Sequence, residues 1–309
     1  MIIPMVGNYA IRASGDTRTP GLMVIFAAIL NIILDPLLIY GIGPFPMIGI
    51  AGAAIATVFS RFTMLLFSSI ILYYREKFIT FNFSSPKSIF VSWKKILYIG
   101  LPNSVIKIIL PFASGVITKL IALYGPETVA GFGVATRIEF FAIIGITSLA
   151  VVLGPFVGQN WGAGQFNCIK KGIQFSYQFS FLWGGIAFII LAIFGQYIGA
   201  LFTDNPRIIS VIKLYLLVVP VGYGMYGTLI MATSAMSVFK KPFHATALMF
   251  VQTFVFYIPI AYLGSFYIGL WGIFVALPIS YFILSIVSRK ILNHIIVNNK
   301  ENALMVSHI

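Results

Sequence analysis

Two acidic side chains in this sequence lie inside long apolar runs, and their neighbours stand at spacings that bear on chemistry. Asp35 has Asn31 four residues before it and Pro36 directly after it. On a helix, positions four apart share one face. A proline removes the amide that would bond the carbonyl four residues back, here that of Ile32. An amide, a carboxyl and a freed carbonyl therefore converge. An ionised carboxylate at the centre of a membrane costs at least ~2.5 kcal/mol, so Asp35 needs a partner or a wet cavity. A carboxyl so placed holds a proton when dry and releases it when water or a cation enters, which makes it a proton-coupling element. A structural Asp35 bonded to a neighbouring helix is the alternative reading. Pro36 is a candidate hinge. The second acid, Glu139, follows Arg137 by two residues, a spacing that puts the two on different helix faces. Lys107 and Lys119 occupy the preceding apolar run. Charges at membrane depth pair, so a cross-helix bridge from Glu139 to a lysine is expected, whether for structure or for function. Lys213 is expected to snorkel to the interface, and Arg61 has no acidic partner on its own helix.

The elements that carry these residues follow from composition. Of 309 residues, 60% are hydrophobic and 9% charged, and the mean hydropathy is +1.00. A soluble globule carries charge on roughly a quarter of its residues, so a soluble protein is excluded. Cys168 is the sole cysteine, which excludes a disulfide scaffold. Transmembrane β-strands alternate over segments of about ten residues, whereas the apolar runs here are longer and suit helices of about twenty. The runs predict spans near 20–42, 48–74, 96–124, 129–157, 168–202, 207–238, 243–264 and 267–292, with a stub at 1–11. The fold class is an all-α polytopic membrane protein.

The net charge of +13 reports orientation rather than a nucleic-acid partner. Alternate connections hold Arg12 and Arg18, then Arg75 to Lys95, Lys170 and Lys171, Lys240 and Lys241, and Arg289 to Lys300, while the intervening connections hold only Arg207. Basic loops stay inside. The C-terminus is therefore expected in the cytoplasm and the chain in a cell (plasma or inner) membrane.

Other patterns carry less. Gly222, Gly224 and Gly227 satisfy G-x-G-x-x-G, yet they follow no strand and lie inside an apolar run, so helix flexibility is expected there rather than a dinucleotide site. Gly154, Gly158 and Gly162 recur at helix-packing spacing. Pro102, Pro111, Pro155, Pro220, Pro259 and Pro278 are candidate kinks. There is no Walker A sequence. His244, His294 and His308 are scattered and form no metal cluster; Cys168 reads as an inert thiol. No nucleophile or metal constellation points to an enzyme, and no cofactor or metal is expected.

A weak internal repeat is also present. Ile48-Gly49-Ile50-Ala51-Gly52 parallels Ile268-Gly269-Leu270-Trp271-Gly272, and Ala13, Pro20 and Tyr40 parallel Ala235, Pro242 and Tyr262. Such repeats mark transporters. If a six-helix unit begins near Lys95, its partner would begin ~125 residues before Met1.

The run Ile11-Arg12-Ala13-Ser14-Gly15-Asp16-Thr17-Arg18-Thr19-Pro20, then Asn31 to Pro36, then Gly49 to Thr57, with Gly158-Gln159-Asn160-Trp161-Gly162-Ala163-Gly164 in the second half, resembles the multidrug and toxic compound extrusion (MATE) family from about residue 8 to 292. The resemblance implies two six-helix lobes around a central cavity, exchanging protons or sodium ions for cationic organic compounds by alternating access. On that map residues 1–74 are an N-lobe remnant holding the end of helix 4 and helices 5 and 6, and residues 75–95 a cytoplasmic inter-lobe linker. Residues 96–293 are the complete C-lobe of helices 7 to 12, and 294–309 a cytoplasmic tail. The resemblance further implies that Asn31 and Asp35 line the N-lobe cavity, with Thr57 as a third member. Sodium-type members carry acids on the first and fourth helices of the C-lobe; here those helices have none in the membrane, and Lys107 and Lys119 make the first positive. Protons handled through Asp35 are thus expected rather than sodium ions, although some members also use an acid in helix one, which lies outside this sequence. The expected function is a secondary active multidrug efflux antiporter for cationic or lipophilic compounds, monomeric at full length, with membrane lipid and drug-like molecules as partners. A lipid-linked precursor flippase of the same wider superfamily, suited to basic residues such as Lys107, Lys119 and Arg137, and an inactive truncated product are the alternatives.

Overall fold

A segment that crosses a bilayer must satisfy its backbone internally, and the apolar runs do so as helices. The computed structural model describes residues 2–80 and 85–307, with no strand among them. Among the described residues eight helical segments are long and apolar enough to cross a membrane, so the chain is an all-α, multi-pass membrane protein. It divides into two compact units, Met1–Ser85 and Pro86–Ile309.

The first unit holds α1 (Ile2–Ala13), α2 (Arg18–Tyr40) and α3 (Ile50–Ile70), which runs on through a π-helical turn, Ile71–Arg75. α2 stops at Gly41, whose φ of 68° and ψ of 47° suit a residue without a Cβ. Gly52 lets the two helices touch: a methyl there would lie 2.5 Å from the Leu38 carbonyl oxygen. Ile11, Met23, Ala27 and Met64 form a small core. Ile32, Val58 and Phe62 are exposed, as side chains facing lipid are.

The second unit holds α4 (Pro86–Ala122), α5 (Pro126–Ala142), α6 (Ile144–Gly162), α7 (Phe166–Ala200), α8 (Pro206–Val218), α9 (Tyr223–Val238), α10 (Pro242–Phe250), α11 (Ile258–Ile268) and α12 (Leu270–Ser307). A short 3₁₀ turn at Val219–Gly222 links α8 to α9, and a π-helical stretch, Val251–Tyr257, links α10 to α11. α4, α5, α8 and α10 each open on a proline, whose missing N–H is an orphan at that position in any case. One large core joins α4 to α12.

Several boundaries differ from the sequence expectation. The run 129–157 is two helices, not one, because the chain leaves helical geometry at Ile143, where ψ is 1°. The indole nitrogen of Trp183 donates to the Ala142 carbonyl at 2.7 Å, and its ring fills the space beside Gly145, where a methyl would lie 2.5 Å away. The tryptophan thus replaces a ladder bond at the break. Residues 86–95, read as linker, are the first turns of α4, and residues 294–307, read as tail, continue α12; residues 81–84 and His308 lie outside the described residues.

The glycines of the G-x-G-x-x-G run serve packing rather than flexibility. A methyl at Gly222 would sit 2.9 Å from Pro278, at Gly224 2.6 Å from the Phe181 ring and at Gly227 2.4 Å from Ser180. Gly158 likewise faces Val238 at 3.5 Å, while Gly162 faces open space.

The internal repeat is one hairpin built twice, once in each unit. Gly49 has φ 62° and ψ −139°, and Gly269 has φ 69° and ψ −142°, a region open essentially to glycine alone. Three residues on, Gly52 and Gly272 donate their amides back to the carbonyls of Gly49 and Gly269 at 2.9 and 3.1 Å. A methyl on Gly272 would lie 2.1 Å from the Gly264 carbonyl oxygen, so α11 and α12 meet backbone to backbone.

Candidate functional site

The helical spacing of Asn31 and Asp35 becomes a contact. The Asn31 side-chain amide donates to Asp35 Oδ1 at 3.1 Å, and both residues are half-buried on α2. Pro36 follows inside the helix, which continues to Tyr40. Asp35 has no ion-pair partner among the described residues. The Leu38–Gly52 contact holds α2 against α3 within a turn of Asp35. Thr57 is also half-buried, but its hydroxyl donates to the Ala53 carbonyl of its own helix at 2.9 Å. The structure therefore joins Asn31 to Asp35 and shows no bond from Thr57 to either.

Glu139 does not form the lysine bridge expected of it. Its partner is the Tyr215 hydroxyl, which donates to Glu139 Oε2. Lys107, Lys119 and Arg137 are all exposed, and among the described residues none of them pairs with an acid. The physical reason is directional: Glu139 points toward α8, away from the face that carries Arg137. Tyr215 is braced by Phe132 and Phe274, with ring centroids 5.7 and 5.1 Å away. Tyr223 is fully buried with its hydroxyl unpartnered, and the rings of Tyr226 and Tyr281 meet at 5.2 Å. Replacing Tyr215 by Phe leaves the carboxyl without its donor. We expect a loss of about 1–3 kcal/mol, read as a lower melting temperature in detergent; an unchanged melting temperature would mean that the bond carries no stability.

Sequence reasoning missed a second acidic centre. Asp16, in the connection before α2, accepts from the Thr19 amide at 2.9 Å and from the Thr19 hydroxyl, and it pairs with Arg75. Arg75 in turn pairs with Glu76 at 2.8 Å. The signal was an acid three residues before Thr19 at a helix start, an N-capping pattern; the Arg75 partner, 59 residues away, had no local signal. The Thr19 bonds, with Arg75 beside them, hold the Asp16 carboxyl well below the usual carboxylate range. A carboxyl so lowered contributes stability that is present above its ordinary value, about 3.9, and is lost as pH falls through its folded-state value. The melting-temperature difference between the parent chain and Asp16→Asn is expected to stay constant from neutral pH to about pH 5 and to shrink only below about pH 4. A difference that shrank near neutrality would contradict this. At the α4–α5 and α7–α8 connections, Asn205 donates to Glu127 at 3.0 Å and its own side chain caps α8 through the Arg207 amide at 2.9 Å. The Asn205 bond, followed by the one that Arg207 donates to Glu127 Oε2 at 3.3 Å, lowers the Glu127 pKa.

The Lys213 ammonium reaches Gln196 on α7 at 3.1 Å, Arg61 is exposed, and Cys168 is an exposed free thiol. His294 bonds to Asn298 at 3.1 Å. Among the described residues no group of three or more His, Cys, Asp or Glu could hold a metal ion.

Comparison with known proteins places this geometry. The MatE family model matches residues 102–263. A FAD transporter of Shewanella oneidensis is 35% identical over 93% of this chain and 63% of its own length. The probable multidrug resistance protein YoeA of Bacillus subtilis is 24% identical over 88% of this chain and 60% of its length, and the probable multidrug resistance protein NorM of Thermotoga maritima is 30% identical over 69% and 46%. The chain thus spans 63% or less of the length of these relatives. Among solved structures, the Vibrio cholerae MATE transporter VcmN in its bent form superposes with a TM-score of 0.85 at 23% identity, over 94% of this chain and 65% of that one. A MOP superfamily transporter from Pyrococcus furiosus superposes with a TM-score of 0.86 at 24% identity, over 96% and 66%. These likenesses show the shared fold.

Proposed function

The chain belongs to the MatE family of membrane transporters, and from that premise we propose that it serves secondary active efflux, exporting cationic or lipophilic organic compounds in exchange for protons by alternating access. Asp35 is the proton-coupling group and Asn31 its positioning partner, with Pro36 a hinge for the end of α2. The observation that carries this reading is the Asn31–Asp35 bond on a membrane helix, an acid at membrane depth with no ion-pair partner among the described residues. Such a carboxyl costs free energy when charged and dry, so its proton occupancy follows the wetting of the site. The C-terminus and the basic connections face the cytoplasm of a plasma or inner membrane, and the full-length protein works as a monomer.

A second substrate reading, export of flavin adenine dinucleotide, draws support from the Shewanella relative and from Lys107, Lys119 and Arg137, which have no acidic partner among the described residues. The test compares cells with and without the protein for accumulated ethidium and for flavin adenine dinucleotide in the medium. Lower ethidium accumulation supports the first reading and extra flavin in the medium the second; no change in either contradicts both.

A further inference from the structure

Lys107 and Arg137 stand on adjacent helices of the second unit, and their depth can be read from the short connection, residues 123–125, that joins α4 to α5. At ~1.5 Å per residue, Lys107 lies ~22 Å along α4 from that connection and Arg137 ~16 Å along α5 from it. The two cations therefore both lie deep in the hydrocarbon, ~6 Å apart in depth. Both are exposed, and neither has an acidic partner among the described residues. The nearby acid, Glu139, is taken by Tyr215. Lys119 differs, standing three residues from the end of α4, where it reaches the interface by snorkelling.

Cations at mid-membrane depth are costly against lipid; such residues characteristically face water or a bundle interior and mark a substrate or ion path. Their sign also decides what that face attracts, because it repels cations and favours anions. A lysine and an arginine on neighbouring helices suit phosphate oxygens in particular, one as a compact charge and the other as a planar fork. There is room beside Arg137. Gly133 is one turn from it on the same face of α5 and has no atom within 4 Å of where a side chain would begin.

We propose that Lys107 and Arg137 form a phosphate-holding subsite on the exposed α4–α5 face, for an organic anion that carries phosphate. The subsite rests on the transporter reading but not on Asp35 or on proton coupling. Two sources supply this chemistry, a soluble dinucleotide and a lipid headgroup, and the test separates them. The chain is purified in dodecyl maltoside, which carries no phosphate, and titrated with flavin adenine dinucleotide and with riboflavin, which lacks phosphate, using flavin fluorescence anisotropy. The dinucleotide is expected to bind about tenfold or more tightly than riboflavin, as two charge-assisted contacts would give. The advantage should vanish in the double variant Lys107→Gln with Arg137→Gln and return in Lys107→Arg with Arg137→Lys. Riboflavin binding that is unchanged across the variants shows that they are folded. If phosphatidylglycerol added to the micelles displaces the dinucleotide from the parent chain, the phosphate chemistry holds and lipid is the source; no displacement makes the soluble anion the source. Equal binding of both flavins by the parent chain, or an undiminished advantage in the glutamine variant, overturns the subsite. A chain that binds neither flavin nor ethidium fails at the transporter reading, a separate result.

Discussion

Asp35→Asn is expected to reduce efflux to the level of cells without the protein while leaving the amount in the membrane unchanged. Asparagine is nearly isosteric with aspartate and keeps an oxygen to accept the Asn31 amide, which donates to Asp35 Oδ1 at 3.1 Å. Helix α2 and its contact with α3 through Leu38 and Gly52 are thus undisturbed. What disappears is the capacity to take up and release a proton, and a transporter that exchanges substrate for protons cannot turn over without it. Asp35→Glu keeps the proton but displaces it and should retain part of the activity. Asn31→Ala leaves the carboxyl without its neighbouring donor and should reduce efflux rather than abolish it. Efflux by Asp35→Asn equal to that of the parent chain, measured at equal membrane abundance, would remove Asp35 from the mechanism.

Gly272→Val is expected to prevent the second unit from folding to a single species. A first side-chain carbon at Gly272 would stand 2.1 Å from the Gly264 carbonyl oxygen and 2.3 Å from its carbon. Those are backbone atoms, which no rotamer change can move. Overpacking ordinarily costs about 1–3 kcal/mol, and separating two backbones in direct contact exceeds that range. Gly272→Ala should already broaden the size-exclusion profile in detergent, and Gly272→Val should leave little monodisperse protein. The control is Gly185→Ala on α7, where nothing lies within 4 Å of the new methyl; a helical Gly→Ala change there is expected to be neutral or to stabilise by about 0.5–1 kcal/mol. If Gly185→Ala and Gly272→Ala behaved alike, the close α11–α12 approach would not limit stability.

What could be read in the residues, and what could not, follows their range. Spans were legible because apolar runs of twenty or more residues have few fates, and the Asn31–Asp35 bond was legible because four residues make one helical turn. The paired glycine hairpins also stood out, since Gly49 and Gly269 adopt the same conformation that only glycine tolerates. The break at Ile143 was hidden. It depends on Trp183, 41 residues away from the carbonyl it takes, and its local mark, Gly145, is one glycine among many in these helices. Glu139 was misjudged for a related reason: charge alone suggested a lysine, whereas the direction of its side chain led to Tyr215 on α8. Thr57 stands near the Asn31–Asp35 pair in family pattern, but its hydroxyl is spent on its own helix.

The most direct test of proton-coupled export is transport into proteoliposomes under one imposed gradient at a time. Vesicles with an acidic lumen and no sodium gradient should accumulate ethidium, because outward proton flow drives substrate inward through an exchanger, and an uncoupler should abolish the accumulation. Accumulation that follows a sodium gradient and ignores the pH gradient would contradict the account.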